Sequence, residues 1–214
     1  MFKFGKAHII AMLLIMLPAA AIAARIEGQV QVGGGPIANS AITLWSASAG
    51  QPRQLAQTRT GSDGRFELDN PDNADVILYL VAKGGEAANK EGDNPAIALL
   101  SVLGNTPPLK VVINELTTVA SAVTAARFIK GEAISGNPLG LRIAAGNAPN
   151  LVDPATGGWG KVLLDPLNSS MTTTLAKLDT LGALITAYAT VANDDWRARF
   201  LKAATPTGGV TPKK

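Results

Sequence analysis

The period of the apolar residues changes once along the chain, at Asn114 in the stretch VVINELTTVAS, residues 111–121. Before it, apolar and polar residues alternate over short runs, the two-residue period of half-buried strands. After it, apolar residues recur every three or four positions, the period of helices. A chain patterned this way folds as α+β, strands first and helices after.

Seven runs before Asn114 carry the strand pattern. RIEGQVQV (25–32) alternates Ile26, Val30 and Val32 with polar neighbours, interrupted by Gly28. AITLWS (41–46) places Ile42 and Leu44 on one face, and RFELD (65–69) does the same with Phe66 and Leu68. QLAQTRT (54–60) precedes Gly61-Ser62-Asp63-Gly64, and the Asp63-Gly64 pair supplies the positive φ of a tight turn, so the flanking strands are expected to form a hairpin. VILYLVAK (76–83) is apolar on both faces, as a central strand would be. AIALLSVL (96–103) and LKVVIN (109–114) complete the set. Seven short strands with frequent turns predict an immunoglobulin-like β-sandwich over residues 24–114.

From Asn114 the chain predicts a helical domain over 115–204. Asn114 suits an N-cap, with Glu115 in the first helical position, where its charge complements the helix dipole. Leu116, Val119, Val123 and Ala126 form one apolar stripe, and Gly131 is the expected stop. A short helix is expected over Pro138–Ala145 and a long one over Thr174–Val191, with Leu175, Leu178, Leu181, Ile185 and Tyr188 on one face. A third starts near Asp194, carries Trp196 and Phe200 one turn apart, and ends before Pro206. Residues 205–214, TPTGGVTPKK, read as a flexible tail.

The first 23 residues have the form of a secretory signal: Lys3 and Lys6, an apolar stretch from Ile9 to Leu17, and Ala21-Ile22-Ala23 as cleavage site. Cleavage near Ala23 predicts a secreted, periplasmic or cell-surface bacterial protein with no membrane span in its mature chain. It also changes the composition. The 19 basic residues lose Lys3 and Lys6, the 16 acidic ones lose none, and the remainder carries 17 − 16 = +1. So small a charge gives no electrostatic footprint for nucleic acid. The only histidine, His8, leaves with the signal, and the chain has no cysteine. Common zinc ligand sets, a Ser-His-Asp triad, thiol nucleophiles and disulfides are excluded together.

Few residues then remain as candidates for chemistry. Asn114, Thr117 and Thr118 could face a ligand, but a helix cap needs the same residue types in the same place, so the cluster reads as a structural joint. Asp69, Asp72 and Asp75 in DNPDNAD offer oxygen ligands for calcium, although Pro71 breaks the spacing of an EF-hand loop. No other cofactor is implied. Gly33-Gly34-Gly35 is followed by Pro36 and a strand, so it reads as a turn and not as a phosphate loop. Glu27, Glu67, Glu115 and Glu132 are the remaining material for a two-carboxylate hydrolase, with no sequence reason to converge. Trp45 and Trp159 are the candidate ligand-binding residues, as aromatic faces on which a sugar ring could stack. Trp45 should point outward, because Ile42 and Leu44 point in.

The stretches GQVQVGGGPIANSAITLW and TRTGSDGRFEL resemble the carboxypeptidase regulatory-like domain, a transthyretin-like β-sandwich of exported bacterial proteins. That resemblance covers about residues 25–85 and implies a non-catalytic module of carbohydrate-binding-like fold. The later stretches INELTTVAS, GLRIAAGNAPNLVDPATGGWG and LNSSMTTTLAKLDTLGALITAYA resemble a helical region that follows such sandwiches in secreted bacterial proteins, some of which continue into a β-propeller. There the pattern has cysteines near the positions of Tyr188 and Trp196, which implies an aromatic contact here in place of a disulfide.

The expectation is therefore a non-enzymatic exported binding or attachment module, its partner a surface glycan or another protein. Two alternatives stand beside it: a structural subunit that self-associates through sheet edges, and the amino-terminal part of a longer propeller protein.

Overall fold

A computed structural model describes residues 24–70, 76–88, 90, 92–190, 194–205 and 207–209. Nine strands precede the first helix: β1 Ala24–Val32, β2 Gly35–Ala38, β3 Ala41–Ala47, β4 Arg53–Arg59, β5 Arg65–Asn70, β6 Ile77–Lys83, β7 Glu86–Ala87, β8 Ala98–Gly104 and β9 Lys110–Ile113. All seven runs read from the alternation form strands. The two further ones, β2 and β7, are four and two residues long, too short for a period to declare itself.

The strands divide into two sheets. One runs β5-β1-β2-β7, with β9 added parallel to β1, and the other runs β4-β3-β6-β8, antiparallel throughout. Gly33 and Gly34, both at positive φ, make the two-residue turn that pairs Val32 with Gly35. The inward sets of both sheets share one apolar core, with Ile26, Val30, Phe66, Val111 and Ile113 from one and Ile42, Leu44, Leu78, Leu80 and Leu99 from the other. Each of these large side chains contributes about 1.5–3 kcal/mol by leaving water.

One expectation about turns needs correction. β4 and β5 are not a hairpin: β4 pairs with β3 and β5 with β1, in different sheets. The Asp63-Gly64 turn forms, with Gly64 at φ 74° and Asp63 Oδ1 accepting the Arg65 N–H at 3.0 Å. Its work is to carry the chain from one sheet to the other. A Cβ on Gly64 would lie 2.6 Å from the Val30 carbonyl oxygen and 2.9 Å from Pro36 Cβ, so the turn passes too close to β1 and β2 for any side chain. Gly28, the break in the β1 alternation, has a similar cause. It faces the core, and a Cβ there would stand 2.3 Å from the Phe66 ring and 2.6 Å from the Val111 carbonyl. Phe66 occupies the space a β1 side chain would fill.

Strand β6 is buried on both faces, as its composition requires. Leu78, Leu80 and Ala82 face the shared core, whereas Ile77, Tyr79 and Val81 face a second cluster. That second cluster is supplied from beyond Asn114, by Ala125, Ile134, Leu141, Ala144 and Ala145. The helices are α1 Glu115–Thr124, α2 Pro138–Leu151, α3 Lys161–Leu164, α4 Pro166–Met171, α5 Thr174–Thr190 and α6 Asp194–Ala204. A short hairpin, β10 Ile129–Lys130 and β11 Ala133–Ile134, lies between α1 and α2. Helix α1 is shorter than the sequence suggests, and Gly131 (φ 63°) turns this hairpin instead of ending a helix.

The buried face of α1 is Thr117, Val119, Ala120 and Ser121, while Val123 is 49% exposed. The apolar stripe therefore does not set its orientation. The reason is the outer edge of β8. Thr118 Oγ1 accepts the Leu100 N–H at 3.0 Å, and Ser121 Oγ accepts the Val102 N–H at 2.9 Å. Helix hydroxyls stand where a further strand would have paired, which satisfies the edge amides and covers the edge.

Candidate functional site

On the outer face of the second sheet, Trp45 on β3 and Tyr79 on β6 are cross-strand partners. Their rings stack with centroids 6.4 Å apart and planes 13° from parallel. Trp45 points away from the core shared by Ile42 and Leu44 and remains half-buried. Tyr79 is 1% exposed, and its Oη accepts the Ile134 N–H at 3.3 Å. Burial pushes its phenol pKa above 10.0, and the Ile134 hydrogen bond works weakly the other way.

These two rings sit in a groove of about 360 Å³. Thr43 beside Trp45 and Val81 and Lys83 beside Tyr79 extend its floor, and Gln51 and Pro52 close one end. The opposite wall is the β10-β11 hairpin, which contributes Lys130, Glu132 and Ala133. Four contacts fix that hairpin on the sheet: the Tyr79–Ile134 hydrogen bond, a Lys83–Glu132 ion pair, a bridge from Ser48 to Ser135, and the Gly136 N–H donated to the Ser48 carbonyl at 2.9 Å. The groove thus combines one half-buried indole with amide, hydroxyl and charged groups. Orienting polar groups around an apolar surface are the usual furniture of a small-ligand site.

Trp159 lies elsewhere. It bridges to Val152, packs with Val119, Leu163 and Leu178, and donates its Nε1–H to Asp179 Oδ1 at 3.0 Å. Its loop is tied to Asn114. Asn114 Oδ1 accepts the Thr117 N–H at 2.9 Å, and the Thr117 hydroxyl reciprocates with the Asn114 N–H, which makes a capping box. Asn114 Nδ2 also donates to the Gly157 carbonyl at 2.9 Å. That second bond clamps the Gly-rich loop against the sheet-to-helix joint, and nothing in the local sequence signals it.

Tyr188, at the end of α5, meets Trp196 on α6 at 6.3 Å between centroids and Phe200 at 5.7 Å, and Trp196 stacks on Phe200 at 5.3 Å. The Arg197 guanidinium lies 5.5 Å above the Tyr188 ring. Asp69 forms an ion pair with Arg25 at 3.5 Å, while Asp72 and Asp75 lie outside the described residues. Among the described residues no three acidic side chains gather closely enough to hold a metal ion.

The glutamates separate into three places. Glu27 and Glu67 are register partners on β1 and β5 and line a hollow of about 500 Å³ on the outer face of the first sheet, together with Arg59, Arg65 and Lys110. Glu67 is held there by Arg25 at 2.8 Å and its side chain is 62% exposed. Glu115 Oε2 receives a long hydrogen bond, 3.4 Å, from the Gly33 N–H, and Glu132 belongs to the groove.

No protein family has a model that matches this chain, and no curated protein matches it. Among solved structures it is similar to a 9R-lipoxygenase from Cyanothece, at 17% identity over 42% of this chain and 16% of that one, with a TM-score of 0.30. A likeness that slight carries no argument about fold or activity. No helix among the described residues is long and apolar enough to cross a membrane.

Proposed function

We propose that this protein is an exported, non-enzymatic binding module whose two sheets form a transthyretin-like β-sandwich, and that it takes a sugar ring of a surface glycan in the groove at Trp45. The observation that carries the reading is the placement of Trp45, on a sheet face whose neighbouring positions are covered, half-buried beside Tyr79 in a groove with polar walls. A pyranose presents an apolar C–H face and a rim of hydroxyls. The indole suits the first, and Gln51, Thr43 and the charged ends of Lys83 and Glu132 suit the second. Export rests on the pattern of residues 1–23, which lie outside the described residues.

The placement of the carboxylates supports binding in preference to hydrolysis. Glu27 and Glu67 sit on an open sheet face, with Glu67 engaged by Arg25. Glu132 in the groove has no second carboxylate beside it among the lining residues. Polymerisation through sheet edges is disfavoured at β8, covered by α1, and at β9, where the Val112 N–H is donated to the Pro154 carbonyl at 2.8 Å. A glycan-array screen tests the reading. Sugar binding that Trp45→Ala abolishes and Trp159→Ala leaves intact is the expected result, and binding indifferent to Trp45→Ala would overturn it.

A further inference from the structure

The charges around the groove do not balance. Lys83 and Lys130 face it against the single acid Glu132, and Glu132 is already paired with Lys83. Lys130 is brought to the groove by the register of its hairpin: it pairs with Ala133, cross-strand partners share a face, and Ala133 itself lines the wall. The opposite face of the hairpin goes into the apolar cluster with Ile134, so the hairpin cannot turn Lys130 away without exposing that residue. An aromatic surface thus faces an ammonium that Glu132 does not neutralise.

We propose that the ring bound at Trp45 carries a carboxylate, so that the preferred ligand is a uronic-acid unit of an acidic glycan, with its carboxylate on Lys130 and its C–H face on the indole. This rests on the sugar-binding reading of the same groove and adds the charge of the ligand. The carboxylate would accept charge-assisted hydrogen bonds from Lys130 Nζ, and the ion pair between Lys83 and Glu132 keeps a second carboxylate from occupying the same end. Because the groove opens to solvent, the attraction must be sensitive to salt.

The test is a titration with tri-galacturonate and with its fully methyl-esterified form, which keeps the rings and removes the charge. Each sugar is titrated into the unmodified protein, Lys130→Gln and Trp45→Ala at low and at 0.5 M salt. The expected result is that the acid binds up to about fivefold more tightly than the ester at low salt. Lys130→Gln should remove that preference without removing ester binding, and Trp45→Ala should weaken both sugars. Equal affinity for acid and ester, both lost in Trp45→Ala, would overturn the carboxylate assignment and leave the groove reading standing. A preference for the acid that survives Lys130→Gln would overturn it as well. Failure of both sugars to bind the unmodified protein, or binding unaffected by Trp45→Ala, would overturn both together. Lys130 is exposed, so Lys130→Gln should fold normally, as circular dichroism will check.

Discussion

Ser121 on α1 accepts the main-chain N–H of Val102 on β8 at 2.9 Å, so a helix side chain takes the place of a neighbouring strand. Thr118 does the same for Leu100 one turn earlier, while donating its own hydroxyl to the Asn114 carbonyl at 2.6 Å. Removing both acceptors in Thr118→Val/Ser121→Ala leaves two amides without partners, each costing about 1–3 kcal/mol. The double variant should lose stability and associate with itself through the uncovered edge. Light scattering across a concentration series checks this, and a variant no more associated than the parent would mean the edge is guarded by something else.

Asn114 performs two separable tasks. Asn114→Ser keeps a side-chain oxygen that can cap α1 and has no amide to donate to Gly157, whereas Asn114→Ala loses both. Cap loss costs about 1 kcal/mol, and the orphaned Gly157 carbonyl adds about 1–3 kcal/mol. Chemical denaturation should therefore rank the parent above Asn114→Ser, and Asn114→Ser above Asn114→Ala. A first variant as stable as the parent would show that the clamp on the Gly157 loop contributes nothing, and equal losses in the two variants would show the same of the cap.

Gly28→Ala places a methyl group against the Phe66 ring and the Val111 carbonyl. The ring can shift but the carbonyl, fixed in the β1-β9 ladder, cannot do so freely. A loss of about 1–3 kcal/mol is expected, read from the denaturation midpoint. Phe66→Leu in the same chain should recover part of it, since it removes only the ring side of the clash.

Tyr79 gives the structure a dependence on alkaline pH. Its folded pKa is raised above 10.0 by burial, so the folded state holds the phenol proton more tightly than the unfolded chain. The resulting stability is complete below the unfolded pKa, near 10, and is lost as pH climbs through the folded value. Tyr79 should ionise above the usual tyrosine range and together with unfolding. Tyrosinate absorbance in the parent and in Tyr79→Phe checks this, because the late step should vanish in the variant.

The strands were legible because each half-buried run repeats over at least four residues, and the helices from Thr174 and from Asp194 because their starts and stops are marked. Partner choice was not legible. The Asp63-Gly64 turn looks the same whether it closes a hairpin or crosses between sheets, and only the close approach of Gly64 to Val30 and Pro36 distinguishes the two. The orientation of α1 was hidden for a different reason, since its buried face is chosen by hydroxyls that bond an edge strand and not by its apolar stripe. At the candidate site, the outward direction of Trp45 could be read from the β3 alternation. Its stacking on Tyr79, and the wall contributed by Lys130 and Glu132, join segments more than thirty residues apart and have no local sign. Trp159, which looked equivalent, is anchored to Asp179 in another cluster.

The most direct test of the account watches the three indoles themselves. In nitrogen-15 NMR spectra of the labelled protein, Trp45→Phe, Trp159→Phe and Trp196→Phe assign each indole N–H signal, and a neutral and then a carboxylated pyranose trisaccharide are added. The account predicts that one of the sugars shifts the Trp45 signal progressively to saturation, while those of Trp159 and Trp196 stay in place. Shifts at Trp159 or Trp196 with Trp45 unmoved, or no shift with either sugar, would contradict it.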